Sequence, residues 1–241
     1  MLKALCKSKK RGNENVGDSP GYRRIEGELV LVNYTGSRAG ECMRGGRLIL
    51  RGYAGPFLGV GMNGGEIIVE RHREGASEAY ADHFLGYEME GGKIIVDGDA
   101  DSSLGAGMKG GKIIISGNAD AFAGESMTGG EIIIKGYVSA FLGKNMKGGK
   151  ITVEGRAGLF VGVEMEGGEI TVKENTAESI GERMTGGTIY FFDDFGSISD
   201  NRSGGKIYWD NRLVGSEEYA SVKAEIDKLL ENDEYFKSQS G

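Results

Sequence analysis

Residues 105–124 read GAGMKGGKIIISGNADAFAG, and residues 124–143 repeat the pattern as GESMTGGEIIIKGYVSAFLG. Both carry Gly-x-x-Met-x-Gly-Gly, one polar residue, an aliphatic triplet and a turn, with a period of nineteen residues. Working outward, Gly-Gly pairs recur at 45–46, 64–65, 91–92, 110–111, 129–130, 148–149, 167–168, 186–187 and 204–205. Met43, Met62, Met89, Met108, Met127, Met146, Met165 and Met184 each stand two positions before a pair; the last pair has Arg202 there instead. One period before Gly46 lies Gly27, followed by Glu28 and Leu29-Val30-Leu31, which reads as a degenerate first coil. A strand-and-turn unit of this size cannot bury its own apolar face, so such units must stack on one another.

The triplets are rich in β-branched residues and too short for helices, so they read as strands. The expected fold is all-β: a single right-handed parallel β-helix of about ten coils, the hand following the preference of parallel crossovers. The expected organisation is a basic N-terminal arm over 1–25, the β-helix over 26–212 and a helix with a tail over 213–241. An insertion at about 71–79 occupies the one wide gap between Gly-Gly pairs. Ser216, Glu217 and Glu218 suit a helix start, and Val222, Ile226, Leu229 and Leu230 follow helical spacing, so an amphipathic helix is expected to cover one coil end.

Strand periodicity separates inside from outside. The first and third triplet residues and the methionine column are expected in the core, joined by Phe57, Phe84, Phe122, Phe141 and Phe160. The middle residues point the other way: Val30, Ile49, Ile68, Ile95, Ile114 and Ile133, then Thr152, Thr171, Tyr190 and Tyr208. An aliphatic stripe of this kind on an outer face is expected to be a partner interface. In-register stacking at about 4.8 Å also predicts that Lys112, Glu131, Lys150 and Glu169 touch as a column of alternating charge.

Composition removes several function classes. Glycine contributes 44 of 241 residues but proline only 2, which excludes collagen. A net charge of −7 argues against a nucleic-acid footprint. The longest purely aliphatic run, Leu29 to Val32, is far too short to span a bilayer, and no signal peptide is evident, so a cytoplasmic location is expected. Cys6 and Cys42 are too few for a disulfide framework or a cysteine-ligated cluster.

Catalytic signatures are scarce. The nearest string to a nucleophile elbow, Gly124 to Thr128, lacks the second glycine, and no P-loop Lys-Ser/Thr accompanies the glycines. Asp82, Asp101 and Asp120 share one column, with Asp99 and Asn118 nearby. Such a column could hold a metal such as calcium or perform acid–base work, but turn formation is its ordinary role. His72 and His83 lie in or beside the insertion, and two histidines alone do not make a metal site. No catalytic residue and no cofactor is expected.

The unit Gly-x-x-Met-x-Gly-Gly-x-Ile-x-Val, as at Gly59 to Val69 and Gly86 to Val96, resembles the GXGXG repeat family over roughly Gly21 to Asp210. That family includes the C-terminal β-helix domain of the glutamate synthase large subunit and the β-helical subunit of formylmethanofuran dehydrogenase. The fuller form from Ala54 to Ile67, recurring at Ala157 to Ile170, is more similar to the latter. The resemblance implies a non-catalytic scaffold in a molybdenum- or tungsten-dependent oxidoreductase of methanogenesis or one-carbon metabolism. Other subunits of that complex carry the pterin, iron–sulfur and zinc chemistry. The expected partners are protein subunits or a second copy of the chain, with neither nucleic acid nor membrane. A detached glutamate synthase domain and a β-helical carbohydrate-active enzyme are the alternatives.

Overall fold

A computed structural model describes residues 11–12, 20–22, 27–32, 36–71, 79–175, 178–193 and 196–214, together with Ala224 and Lys228. In chain order the first strands are β1 (Arg11–Gly12), β2 (Glu28–Val32), β3 (Arg44–Arg51), β4 (Tyr53–Ala54), β5 (Gly64–Glu70) and β6 (Ala79–Ala81). There follow β7 (Lys93–Val96), β8 (Gly98–Ala100), β9 (Lys112–Ile115), β10 (Glu131–Ile134), β11 (Val138–Ala140) and β12 (Lys147–Val153). The last are β13 (Ala157–Leu159), β14 (Gly167–Val172), β15 (Thr188–Phe191), β16 (Lys206–Trp209) and β17 (Arg212–Leu213). The C-terminal helix expected within 213–241 lies outside the described residues save for Ala224 and Lys228.

The long sheet runs β1-β2-β3-β5-β7-β9-β10-β12-β14-β15-β16-β17, and only its final pairing is antiparallel. A second wall begins as β4-β6-β8, continues through bridges from Ala100 to Ala119 and from Ala119 to Val138, and ends as β11-β13. The result is an all-β parallel solenoid of about nine turns. Lys112 lies opposite Glu131, Glu131 opposite Lys150, and Lys150 opposite Glu169, as the nineteen-residue period requires. The degenerate coil is present, with Glu28 opposite Arg47. Arg11 pairs with Val30 one further period upstream, where no Gly-Gly announces a strand. Across the insertion Glu66 still faces Lys93 and Ala54 faces Ala81, so the extra residues leave both walls in register.

Alternation along each strand builds the core. In β9, Ile113 and Ile115 are fully buried while Lys112 and Ile114 are partly exposed. Each such buried aliphatic contributes about 1.5–3 kcal/mol. All eight methionines of the repeat column are buried completely. Their function in packing is specific: a side chain added at Gly130 would meet the Met108 methyl at 2.6 Å. Each methionine tip therefore fills the space under the second glycine of the next coil, a glycine that also adopts positive φ, +87° at Gly130. Gly105 repeats the logic from the other side, since a Cβ there would lie 2.5 Å from Ile132 Cδ1.

The charge column is realised as contacts. Arg47 and Glu66 approach to 2.8 Å, Lys112 and Glu131 to 2.7 Å, and Lys150 and Glu169 to 2.6 Å. Exposed pairs are worth about 0–1 kcal/mol each, so they favour the register more than the stability. Lys93 opposite Lys112 is the like-charged exception, and Lys93 Nζ turns back to Glu66 at 3.7 Å.

The phenylalanine column departs from expectation. Phe57, Phe84, Phe122, Phe141 and Phe160 are only partly buried and lie outside the core. All five have φ between 54° and 64°. At this corner the following residue (Leu58, Leu85, Ala123, Leu142 or Val161) occupies the interior, which leaves the ring on the outer side. The rings stack on one another instead, with centroids 4.8 Å apart for Phe122–Phe141 and 4.9 Å for Phe141–Phe160. Stacking worth about 0.5–1.5 kcal/mol offsets the left-handed backbone, which costs about 1–2 kcal/mol. Ser103 holds the same corner, at φ 62°, and interrupts the ladder between Phe84 and Phe122.

The parallel ladder ends in a reversal. Asp210 and Asn211, at φ 45° and 64°, form a two-residue turn that folds β17 back onto β16, with Tyr208 opposite Leu213. Two consecutive positive φ values are what a tight hairpin of this twist demands.

Candidate functional site

Two surfaces carry the sequence-predicted site residues. On the long sheet, Val30, Ile49, Ile68, Ile95, Ile114 and Ile133 are all partly exposed and stand opposite one another in successive strands. They form a continuous aliphatic line bordered on one side by the charge column described above. The line continues as Thr152, Thr171, Tyr190 and Tyr208, and the two tyrosine rings stack at 5.1 Å.

The second surface is the outer face of the second wall. Asp82, Asp101 and Asp120 occupy equivalent places in consecutive coils, each backbone amide donating to the alanine carbonyl of the coil before. Their surroundings divide them. Asp120 accepts from Ser139 Oγ at 2.5 Å and from Ser102 Oγ at 3.1 Å, so both of its oxygens serve neighbouring turns. Asp82 and Asp101 instead converge on His83. His83 Nδ1 lies 2.9 Å from Asp101 Oδ1, and Nε2 lies 3.7 Å from Asp82 Oδ1. His72 lies outside the described residues.

The outer oxygens of these two carboxylates are held by tyrosines that sequence reading passed over. The Tyr53 hydroxyl donates to Asp82 Oδ2, and the Tyr80 hydroxyl donates to Asp101 Oδ2 at 2.7 Å. Each tyrosine reaches diagonally, to the residue two positions beyond its direct partner in the next coil, a distance that long side chains span. The available signal was the Tyr80-Ala81-Asp82 alternation, which puts tyrosine and aspartate on one face. The inner oxygens accept backbone amides, from His83 at 2.7 Å and from Ser102 at 2.6 Å.

These contacts shift proton equilibria. Burial first, and then the hydrogen bond to Asp82, push the Tyr53 hydroxyl up to about 12. Tyr80 is raised further, by burial and then by its bond to Asp101. Burial opposes ionisation of Asp101. The Tyr80 hydroxyl, the Ser102 amide and the nearby His83 outweigh that burial and hold the carboxyl below its ordinary range.

A raised tyrosine pKa stabilises the fold below the unfolded value of 10.0, and this contribution is lost as pH rises through about 12. The thermal midpoint of the chain is therefore expected to fall between pH 10 and pH 12. A Tyr53→Phe, Tyr80→Phe double variant should show a shallower fall, with the late phenolate absorbance removed. Equal slopes for both proteins would show that these hydroxyls are ordinary surface groups.

Beside this cluster, a shallow groove of about 270 Å³ is lined by Tyr80, Asp99, Asp101, Asn118, Asp120 and Tyr137. Asp99 Oδ1 accepts the Asn118 amide, and Asn118 Oδ1 accepts the Tyr137 amide, so this column also works as a ladder. Farther along, the Arg156 guanidinium sits 5.5 Å from the centre of the Tyr137 ring.

Among known proteins, a family model described as GXGXG motif matches residues 77–240, about two thirds of the chain. No curated protein matches it.

Proposed function

The chain belongs to the GXGXG motif family, and from that premise we propose that it is a non-catalytic scaffold subunit of a multi-subunit oxidoreductase. In this reading it acts as the β-helical subunit does in a molybdenum- or tungsten-dependent formylmethanofuran dehydrogenase. The observation that carries this reading is the unbroken line of outward residues from Val30 to Ile133. The core already holds two residues of every triplet, so an aliphatic third residue adds nothing to it. A threonine would serve equally well in water, and Thr152 and Thr171 show that the coil accepts one there. Contiguous apolar surface of this kind favours association with another protein. A detached glutamate synthase domain would use the same surface toward a different partner.

The test replaces Ile95 and Ile114 with lysine in the native host and follows co-purification. The parent chain is expected to bring down oxidoreductase subunits containing molybdenum or tungsten. The double variant should lose them while keeping its circular dichroism, because a lysine is costly only where partner contact removes water. Undiminished assembly would move the interface elsewhere, and an unfolded variant would make the line part of the chain's own core. A second reading, a carbohydrate-active enzyme, is favoured by the carboxylate-lined groove around Asp99, Asp101 and Asp120. It requires that Asp120→Asn abolish turnover of a glycan while leaving assembly intact.

A further inference from the structure

The Asp82, His83 and Asp101 cluster is unlike the rest of the aspartate column. One donor atom from each residue falls within 4.8 Å of the other two. The cluster mixes an imidazole nitrogen with two carboxylate oxygens, and it draws on two coils rather than on one loop. Asp82 and Asp101 are mostly shielded, with side chains 21% and 19% exposed, whereas the His83 side chain at 52% keeps one side open to water. Charge is unbalanced, since even a protonated ring sets one positive charge against two carboxylates.

The tyrosines supply the remaining feature. Each carboxylate is gripped at its outer oxygen by a hydroxyl from the preceding coil, so the inner oxygens are turned toward His83. Hydrogen bonds of this kind orient metal-binding carboxylates, and losing one lowers affinity by about 10–100-fold. Asp120 makes the contrast, because among the described residues no imidazole faces it and its oxygens accept the hydroxyls of Ser102 and Ser139 rather than a tyrosine and a backbone amide.

We propose that Asp82, His83 and Asp101 bind one divalent transition-metal ion, with zinc the best-matched, and that the ion clamps two adjacent coils. One nitrogen and two oxygens suit a borderline ion, and water completes the coordination from the open side. Bonds of about 2.0–2.2 Å require one ring nitrogen of His83 to give up its present contact, 2.9 Å to Asp101 at Nδ1 or 3.7 Å to Asp82 at Nε2, and to share the ion with both carboxylates, a ring rotation that the exposed imidazole permits. Tyr53 and Tyr80 are positioning residues. Because the ion joins the strand beginning at Ala79 to its successor, binding stabilises the coil next to the insertion.

The test is a calorimetric titration of the untagged full chain with zinc chloride, alongside thermal unfolding with and without the ion. The expected result is one equivalent bound and a raised midpoint, since a ligand that binds only the folded state stabilises it. His83→Ala and Asp101→Asn should each lose at least tenfold in affinity together with the midpoint shift. Tyr80→Phe should lose about tenfold while still binding one equivalent. Asp120→Asn should bind as the parent does. Circular dichroism of every variant checks folding, and Asp101→Asn keeps the shape of the site if His83→Ala does not fold. No saturable binding by the parent chain would overturn the proposal, as would unchanged affinity in the folded His83→Ala chain or tighter binding of calcium than of zinc.

Discussion

Alanine at Gly130 is expected to destabilise the chain by about 2–5 kcal/mol, seen as a lower urea midpoint at unchanged slope. Two costs combine. The backbone at φ +87° is one that a residue with a Cβ adopts at about 1–2 kcal/mol. The new methyl also meets Met108 Cε at 2.6 Å and the carbonyl oxygen of Gly111 at 2.9 Å, an overpacking worth about 1–3 kcal/mol. The repeat supplies its own controls. Gly27 has φ +88° with nothing within 4 Å, so Gly27→Ala isolates the backbone cost. Gly45, without positive φ, also has nothing within 4 Å, and Gly45→Ala is expected to be close to neutral. If all three variants lose the same stability, the stacking account of the glycines is wrong.

Met108→Ala is expected to cost a similar 2–5 kcal/mol, because about three side-chain atoms leave a fully buried site that the rigid coils cannot collapse to fill. Met108→Leu keeps most of the volume and should cost less than about 1.5 kcal/mol. The pair is coupled. In the Met108→Ala, Gly130→Ala double variant the added methyl enters space that the lost one vacated, so the loss should fall short of the sum of the single losses. Residues in contact commonly show coupling of about 0.5–3 kcal/mol, and strict additivity would mean that the two positions do not touch.

How much was legible in the sequence depended on whether a feature repeats. Gly130 and Met108 belong to columns of fixed period, and the period alone sets which coil lies on which. The Lys112–Glu131–Lys150 contacts followed for the same reason. Phe141 was misplaced because hydrophobicity suggests burial, while its left-handed backbone, which decides where the ring goes, leaves no mark on composition. The hairpin at Asp210-Asn211 was hidden by the expectation that every strand continues a parallel ladder. The grouping of Tyr80, Asp101 and His83 was hidden for a different reason. It depends on a diagonal reach of two residues between coils, whereas columns are read straight down. Asp120, sharing the column with Asp101, looked equivalent, yet it meets serine hydroxyls where Asp101 meets Tyr80 and His83.

The strict register also means that this molecule can change its length only in whole steps. Residues 97–115 make up one complete turn, and excising them would join Val96 to Ser116 with every remaining strand still in phase. The shortened rod would set Lys93 beside Glu131, removing its one described like-charged step. It would also discard Ser103 and let Phe84 lie against Phe122, joining two aromatic stacks into one. The same cut would remove Asp101 and bring Asp120 to the place facing His83. The coil that interrupts the architecture is thus the one that supplies Asp101 to the histidine cluster, and a rod trimmed for regularity would have to recruit Asp120 in its place.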